Sequence, residues 1–164
     1  MIISASRRTD IPAFYAEWFL NRLKSGYVLV RNPFNPKQVT KIDLSPEIVD
    51  CIVFWTKNPR SMMLKLDEID KQGYAYYFQY TLTSYDNTLE KRVPDVQASL
   101  KTFKELSRII GPERVVWRYD PVLLTDKYRP DDHSKCFKYI ARELQGYTEK
   151  CIISFVDVYK KCER

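Results

Sequence analysis

The order of patterns along the chain predicts an α/β fold, with parallel β/α repeats forming a partial (incomplete) TIM-type barrel and a β-hairpin inserted after the first helix. Three observations predict it. Short apolar runs rich in Ile, Val, Phe, Trp and Tyr recur at Ile2–Ser6, Cys51–Thr56, Tyr74–Thr81, Val115–Tyr119 and Cys151–Val156. Continuous runs of this kind are how strands buried on both faces read. A helical pattern follows every run but the last, and such alternation indicates parallel strands joined by right-handed crossovers. Finally, the first strand-to-helix turn, Ser6-Arg7-Arg8-Thr9-Asp10, holds no glycine, whereas a doubly wound nucleotide fold carries a Gly-rich turn there. Five such units do not close the usual eight-stranded ring. Either the sheet is open or the chain is a fragment; residues 1–164 are expected to form a single β/α domain, read as the N-terminal part of a longer protein or as a truncated gene product.

The first helix is expected from Asp10-Ile11-Pro12, an N-cap residue followed by a proline suited to the first turn. Tyr15, Trp18, Phe19 and Leu23 follow at helical spacing, and Gly26 ends the pattern. Tyr27–Arg31 and Val39–Leu44 alternate and flank Asn32-Pro33-Phe34-Asn35-Pro36, which reads as a hairpin. Ser45-Pro46-Glu47 reads as a short helix start. A second helix follows Asn58-Pro59, with Met62, Met63, Leu66 and Ile69 on one face and Gly73 as its stop. A third uses Val96, Leu100, Phe103, Leu106 and Ile110 before Gly111-Pro112. A fourth starts near Asp131-Asp132, buries Cys136, Phe137, Ile140 and Leu144, and stops at Gly146. All four glycines thus stand at expected helix ends, so pattern and punctuation agree.

Composition narrows the function classes. A chain that is 45% hydrophobic and 14% aromatic can offset its ordering entropy by burial, which excludes disorder. With 4 Gly and 9 Pro it is neither collagen-like nor of low complexity. No apolar run approaches the roughly 18 residues of a membrane span, and Met1-Ile2-Ile3-Ser4 does not open a signal peptide. A cytoplasmic location and no membrane partner are the expectations. The net charge of +6 makes an anionic partner plausible beside the blander reading of a solvated basic surface. Cysteines at 51, 136, 151 and 162 match no zinc or iron–sulfur spacing, so no metal site is expected in this chain. His133, the sole histidine, reads as a surface residue at a helix start.

Chemistry is expected where the strands end, because the carboxyl ends of parallel strands share one face. Ser6, Arg7, Arg8 and Asp10 follow the first strand. Thr56, Lys57 and Asn58 end the second, Gln79 and Tyr80 the third, Arg118, Tyr119 and Asp120 the fourth, and Ser154 and Asp157 the fifth. Arg7, Arg8, Lys57 and Arg118 suit phosphate or carboxylate groups, while Asp120 and Asp157 suit a hydroxyl, an amine or a hard cation. Asp120, Asp157 and Lys57 are the candidates for catalytic roles; the others would bind an anionic small molecule or nucleotide-like ligand. Each also has a structural reading. Asp10 and Asn58 can cap helices, Asp120-Pro121 is a common turn pair, and an Arg–Asp pair can be a structural salt bridge. Two further readings stay open. One is a nucleic-acid or polyanion-binding domain with no catalysis. The other is a metal-dependent barrel hydrolase or lyase built on Asp10, Asp120 and Asp157. An open sheet edge after the last strand would also invite self-association.

The stretches SASRRTDIPAFY at 4–15, VRNPFNP at 30–36, FWTKNP at 54–59, FQYTLT at 78–83, WRYDP at 117–121 and ISFVDVY at 153–159 resemble the bacterial family called domain of unknown function 1848. The resemblance spans essentially the whole chain. Full-length members resemble radical S-adenosylmethionine (SAM) enzymes in carrying a C-terminal C-x-x-x-C-x-x-C cluster, which implies a [4Fe–4S] cluster and bound SAM for the full-length protein. That cysteine segment is not in this sequence, and Cys162 alone cannot replace it, so no cofactor is expected here.

Overall fold

The computed structural model describes residues 1–6 and 8–156. The chain runs through β1 (Ile2–Ala5), α1 (Ile11–Phe14), α2 (Ala16–Ser25), β2 (Tyr27–Arg31), β3 (Val39–Asp43) and β4 (Cys51–Thr56). It continues through α3 (Arg60–Met63), α4 (Leu66–Lys71), β5 (Tyr76–Thr81), α5 (Val96–Ile110), β6 (Val115–Val122), α6 (Pro130–Glu143) and β7 (Cys151–Phe155). Five strands form one parallel sheet in the order β1-β4-β5-β6-β7, and β2 and β3 form a separate antiparallel pair. Once the hairpin is set aside, strand order follows chain order without a reversal. The chain divides into two compact units, Met1–Phe78 and Gln79–Arg164, a division that no linker composition announces. No helix among the described residues is long and apolar enough to cross a membrane.

In the first unit, β1 pairs with β4 in the register Ile2↔Cys51 to Ala5↔Phe54. Phe54 is fully buried and packs edge-on against Phe19 of α2 at 5.4 Å and tilted against Phe78 at 4.9 Å. Leu20, Met62, Leu66 and Ile69 complete the core with at most 1% exposure. The helical apolar spacing thus covers the sheet, each such side chain contributing about 2–3 kcal/mol by leaving water. The expected first and second helices are each broken in two. Tyr15 closes α1, its N–H donating to Ile11 O at 2.8 Å with φ at −133°. Across that break Tyr15 and Trp18 turn outward, and Phe19, Leu20 and Leu23 form the buried face instead. Ser45–Ile48 makes a single turn rather than a helix start.

In the second unit, Asp95 caps α5 by accepting from Ala98 N at 2.8 Å. The helix lays Leu100, Phe103 and Leu106 inward, and Phe103 stacks on Tyr80 with centroids 5.2 Å apart. Trp117 of β6 stacks on Phe137 of α6 at 4.8 Å and donates its indole N–H to Leu82 O at 3.0 Å. Asp120-Pro121 is not a turn. It lies inside β6 as a cis peptide, at a register irregularity against β7 between Tyr119 and Val122. The Tyr85 hydroxyl donates to Pro121 O at 2.7 Å there.

Burial on both faces holds for β4, β5 and β6 but not for the two end strands. Ile2, Ile153 and Phe155 are 68%, 51% and 67% exposed. An end strand has a neighbour on one side only, so its apolar composition does not secure burial. Of the helix-ending glycines, Gly26 is the clearest. It closes α2 at φ 74°, with its N–H on Leu23 O, in a conformation that other residues adopt only at a cost.

Candidate functional site

The loop from β1 to α1 is built by two of the expected residues. Ser6 has φ 102°, a left-handed value that costs a non-glycine residue about 1–3 kcal/mol. Its Oγ accepts the Ile11 N–H at 3.1 Å. Asp10 caps α1 through Oδ1, which accepts from Ala13 N at 2.9 Å. Its Oδ2 accepts from Thr56 Oγ1 at 3.0 Å and from Lys57 N at 2.8 Å. Asp10 therefore ties the end of β4 to the start of α1. Thr56 Oγ1 in turn accepts from Asn58 N at 2.9 Å, and Asn58 Oδ1 accepts from Arg60 N at 3.4 Å.

Between these two anchors stands Arg8, exposed, with Nη2 donating to Arg31 O at 3.0 Å. Arg31 ends β2, so this contact joins the β1 loop to the hairpin. A cleft of about 810 Å³ opens beside it. Ser4, Ser6, Arg8 and Thr9 line one side and Arg31, Asn32, Gln38 and Thr40 the other. The hairpin loop is shaped by Asn32, whose Nδ2 donates to Gln38 Oε1 at 2.8 Å and whose Oδ1 accepts from Phe34 N at 2.9 Å. Arg8 and Arg31 line the cleft, and among its described lining residues there is no carboxylate; among the described residues neither arginine has an acidic partner. Trp18 and Phe34 add exposed rings, 45% and 96% accessible. A smaller apolar recess of about 160 Å³ continues the cleft between α2 and the inner face of the hairpin.

The expected residues of the second unit form a different kind of group. Arg118 donates through Nη1 to Gln79 Oε1 at 2.8 Å and through Nη2 to Asp120 Oδ2. Ser154 Oγ donates to the other Asp120 oxygen. The Arg118 and Asp120 side chains are 13% and 15% exposed, so this is a mostly buried network of side chains that pair with one another. Tyr80 is not at an open mouth; its ring is 1% exposed and its hydroxyl donates to Ser99 O at 3.2 Å. Tyr119 is 2% exposed, and burial pushes its phenol pKa up.

His133 is not a surface residue. It is 8% exposed, with Nε2 on Leu123 O at 3.0 Å and Nδ1 on the Tyr119 hydroxyl at 2.8 Å. A carbonyl only accepts, so Nε2 carries a proton and donates to Leu123 O. An apolar cleft of about 310 Å³ lies against this pair, with Phe137, Leu124 and Ile153 in its walls.

Arg7 and Asp157 lie outside the described residues, as does Cys162. The described thiols sit singly in β4, α6 and β7. No group of three His, Cys, Asp or Glu among the described residues is arranged to hold a metal ion. Arg31 and Asn32 are not expected as site residues, because the hairpin reads as an insertion away from the strand ends, and Trp18 and Arg22 lie within a helix, α2, rather than at a strand end. The available signal was the hairpin's alternation: Val28, Val30, Thr40 and Ile42 share one face, and that face needs something to cover.

No curated protein and no solved structure matches the chain. A family model described as domain of unknown function (DUF1848) matches residues 2–164, and the chain belongs to that family.

Proposed function

We propose that this protein binds an anionic small molecule, carrying phosphate or carboxylate, in the cleft between the β1–α1 loop and the hairpin. The observation that carries the reading is the pair Arg8 and Arg31 on a cleft of about 810 Å³ with no carboxylate among its described lining residues. Guanidinium groups match such anions in geometry as well as charge, and the volume falls in the range of small-molecule sites. The hydroxyls of Ser4, Ser6 and Thr9 add neutral donors on the same side. Asp10, Thr56 and Asn58 act in this reading as positioning residues, since their polar atoms hold the loop that presents Arg8. The Arg118–Asp120 network does not serve as the anion site, because Asp120 and Gln79 already face its guanidinium. The unreversed strand order supports a segment of a β/α barrel, where ligands gather at the carboxyl ends of strands.

Isothermal titration with pyrophosphate at low salt tests this. Arg8→Ala and Arg31→Ala should each weaken binding by about tenfold or more, the worth of a charge-assisted hydrogen bond. Two arginines release few counterions, so the slope of log K against log salt should be no steeper than about −2. Absence of binding, or unchanged affinity in both variants, contradicts the proposal. A much steeper slope with RNA or DNA as ligand would favour the polyanion-binding alternative.

A further inference from the structure

The cleft does not end at its two arginines. It runs on into the 160 Å³ recess, and Ser4, Ile11, Trp18, Val30 and Ile42 line both spaces. Phe19, Val28 and Leu44 make the deeper walls apolar. An apolar cavity of about 150 Å³ is the size that admits a benzene-like ring. At its entrance the Trp18 ring is 45% exposed. Two polar residues, Ser4 and Arg22, interrupt the apolar lining. Arg22 lines the recess, and its Nε is buried with no hydrogen-bond partner. A guanidinium is always charged and can only donate, and an unmet buried donor on a charged group is costly. The recess thus has the volume for a small ring and lacks an acceptor for Arg22 Nε.

We propose that the occupant is a nucleotide, with its phosphate at Arg8 and Arg31 and its base in the recess against Trp18. A ring nitrogen or carbonyl oxygen of the base accepts from Arg22 Nε. This inference rests on the anion-binding reading and deepens it by naming the ligand class. The two ends of the cleft explain why both features are needed: arginines alone hold any phosphate, whereas a ring with an acceptor atom uses the recess.

The test is calorimetry on the 164-residue chain with inorganic phosphate and with the four common ribonucleoside 5′-monophosphates. The tightest nucleotide should bind about tenfold or more tighter than phosphate, the scale of one stacked base. Arg22→Met keeps the apolar stem and removes the donor. It and Trp18→Ala should each bring nucleotide affinity down toward that of phosphate, removing the tenfold preference. Trp18→Phe keeps an aromatic face and should retain most of the preference, which covers the case in which Trp18→Ala fails to fold. Phosphate binding with no nucleotide preference overturns the inference while leaving the anion site standing. A nucleotide preference that survives Arg22→Met and Trp18→Ala overturns the placement in the recess. No binding of either probe overturns the anion site and the inference together.

Discussion

Replacing Asp10 should destabilise the protein in steps that match its three hydrogen bonds. Oδ1 caps α1, and such a cap is worth about 1 kcal/mol. Oδ2 takes the Thr56 hydroxyl and the Lys57 N–H, and bonds to a charged acceptor contribute about 1.5 kcal/mol each at the low end. Asp10→Ala therefore removes about 3–4 kcal/mol, and it leaves the half-buried Lys57 N–H without its acceptor. Asp10→Ser preserves the cap but cannot reach the end of β4, so it should lose about 1 kcal/mol less than alanine. With a urea slope of about 2 kcal/mol per M, the alanine midpoint should fall by about 1.5–2 M. Urea titration followed by circular dichroism measures both variants. A loss below about 0.5 kcal/mol for Asp10→Ala would mean that Asp10 does not hold the loop. Equal losses for serine and alanine would mean that the cap contributes nothing.

Three further outcomes follow from the same geometry. Asp120→Ala leaves the mostly buried Arg118 guanidinium short of its carboxylate, at a cost of about 3 kcal/mol. The double variant Arg118→Met with Asp120→Leu should cost less than Asp120→Ala alone, and a double variant at least as damaged would contradict this. Gly26→Ala should cost about 1 kcal/mol in a thermal melt. Nothing lies within 4 Å of the added Cβ, so the φ of 74° alone sets the penalty; an unchanged melting temperature would refute the assignment. Lys127, then the Thr88 hydroxyl, hold the Asp86 carboxylate well below the usual range. A depressed carboxyl stabilises the fold above its unfolded pKa of about 4 and ceases to do so as pH falls through its folded value. The urea-midpoint gap between the natural chain and Asp86→Asn should be full at about pH 6 and shrink below about pH 4. A gap that stays constant into acid would contradict it.

Periodicity and punctuation located the elements well. Cys51–Thr56, the hairpin strands and the α5 helix stand where alternation, apolar spacing and glycine stops place them. What these signals could not show was position within the sheet. Ile2 and Phe155 have the composition of core residues, yet they lie on strands at the two ends. The break at Tyr15 was hidden as well, because the apolar spacing runs through it. Within the candidate site, Arg8 followed from the strand-end rule. Arg31 did not, because it comes from a hairpin that crosses back in space after 23 residues of chain. His133 shows the converse limit. Its sequence neighbours are polar, and its burial comes from Tyr119 and Leu123, which approach from β6 and the segment beyond it.

The central claim is the location of the anion. Backbone amide NMR of the chain titrated with pyrophosphate tests it most directly. The account predicts shifts concentrated at residues 4–11 and 30–32, saturating with the calorimetric affinity and abolished in the Arg8→Ala, Arg31→Ala double variant. Shifts centred on Arg118 and Asp120, or none at any concentration that calorimetry reaches, would contradict it.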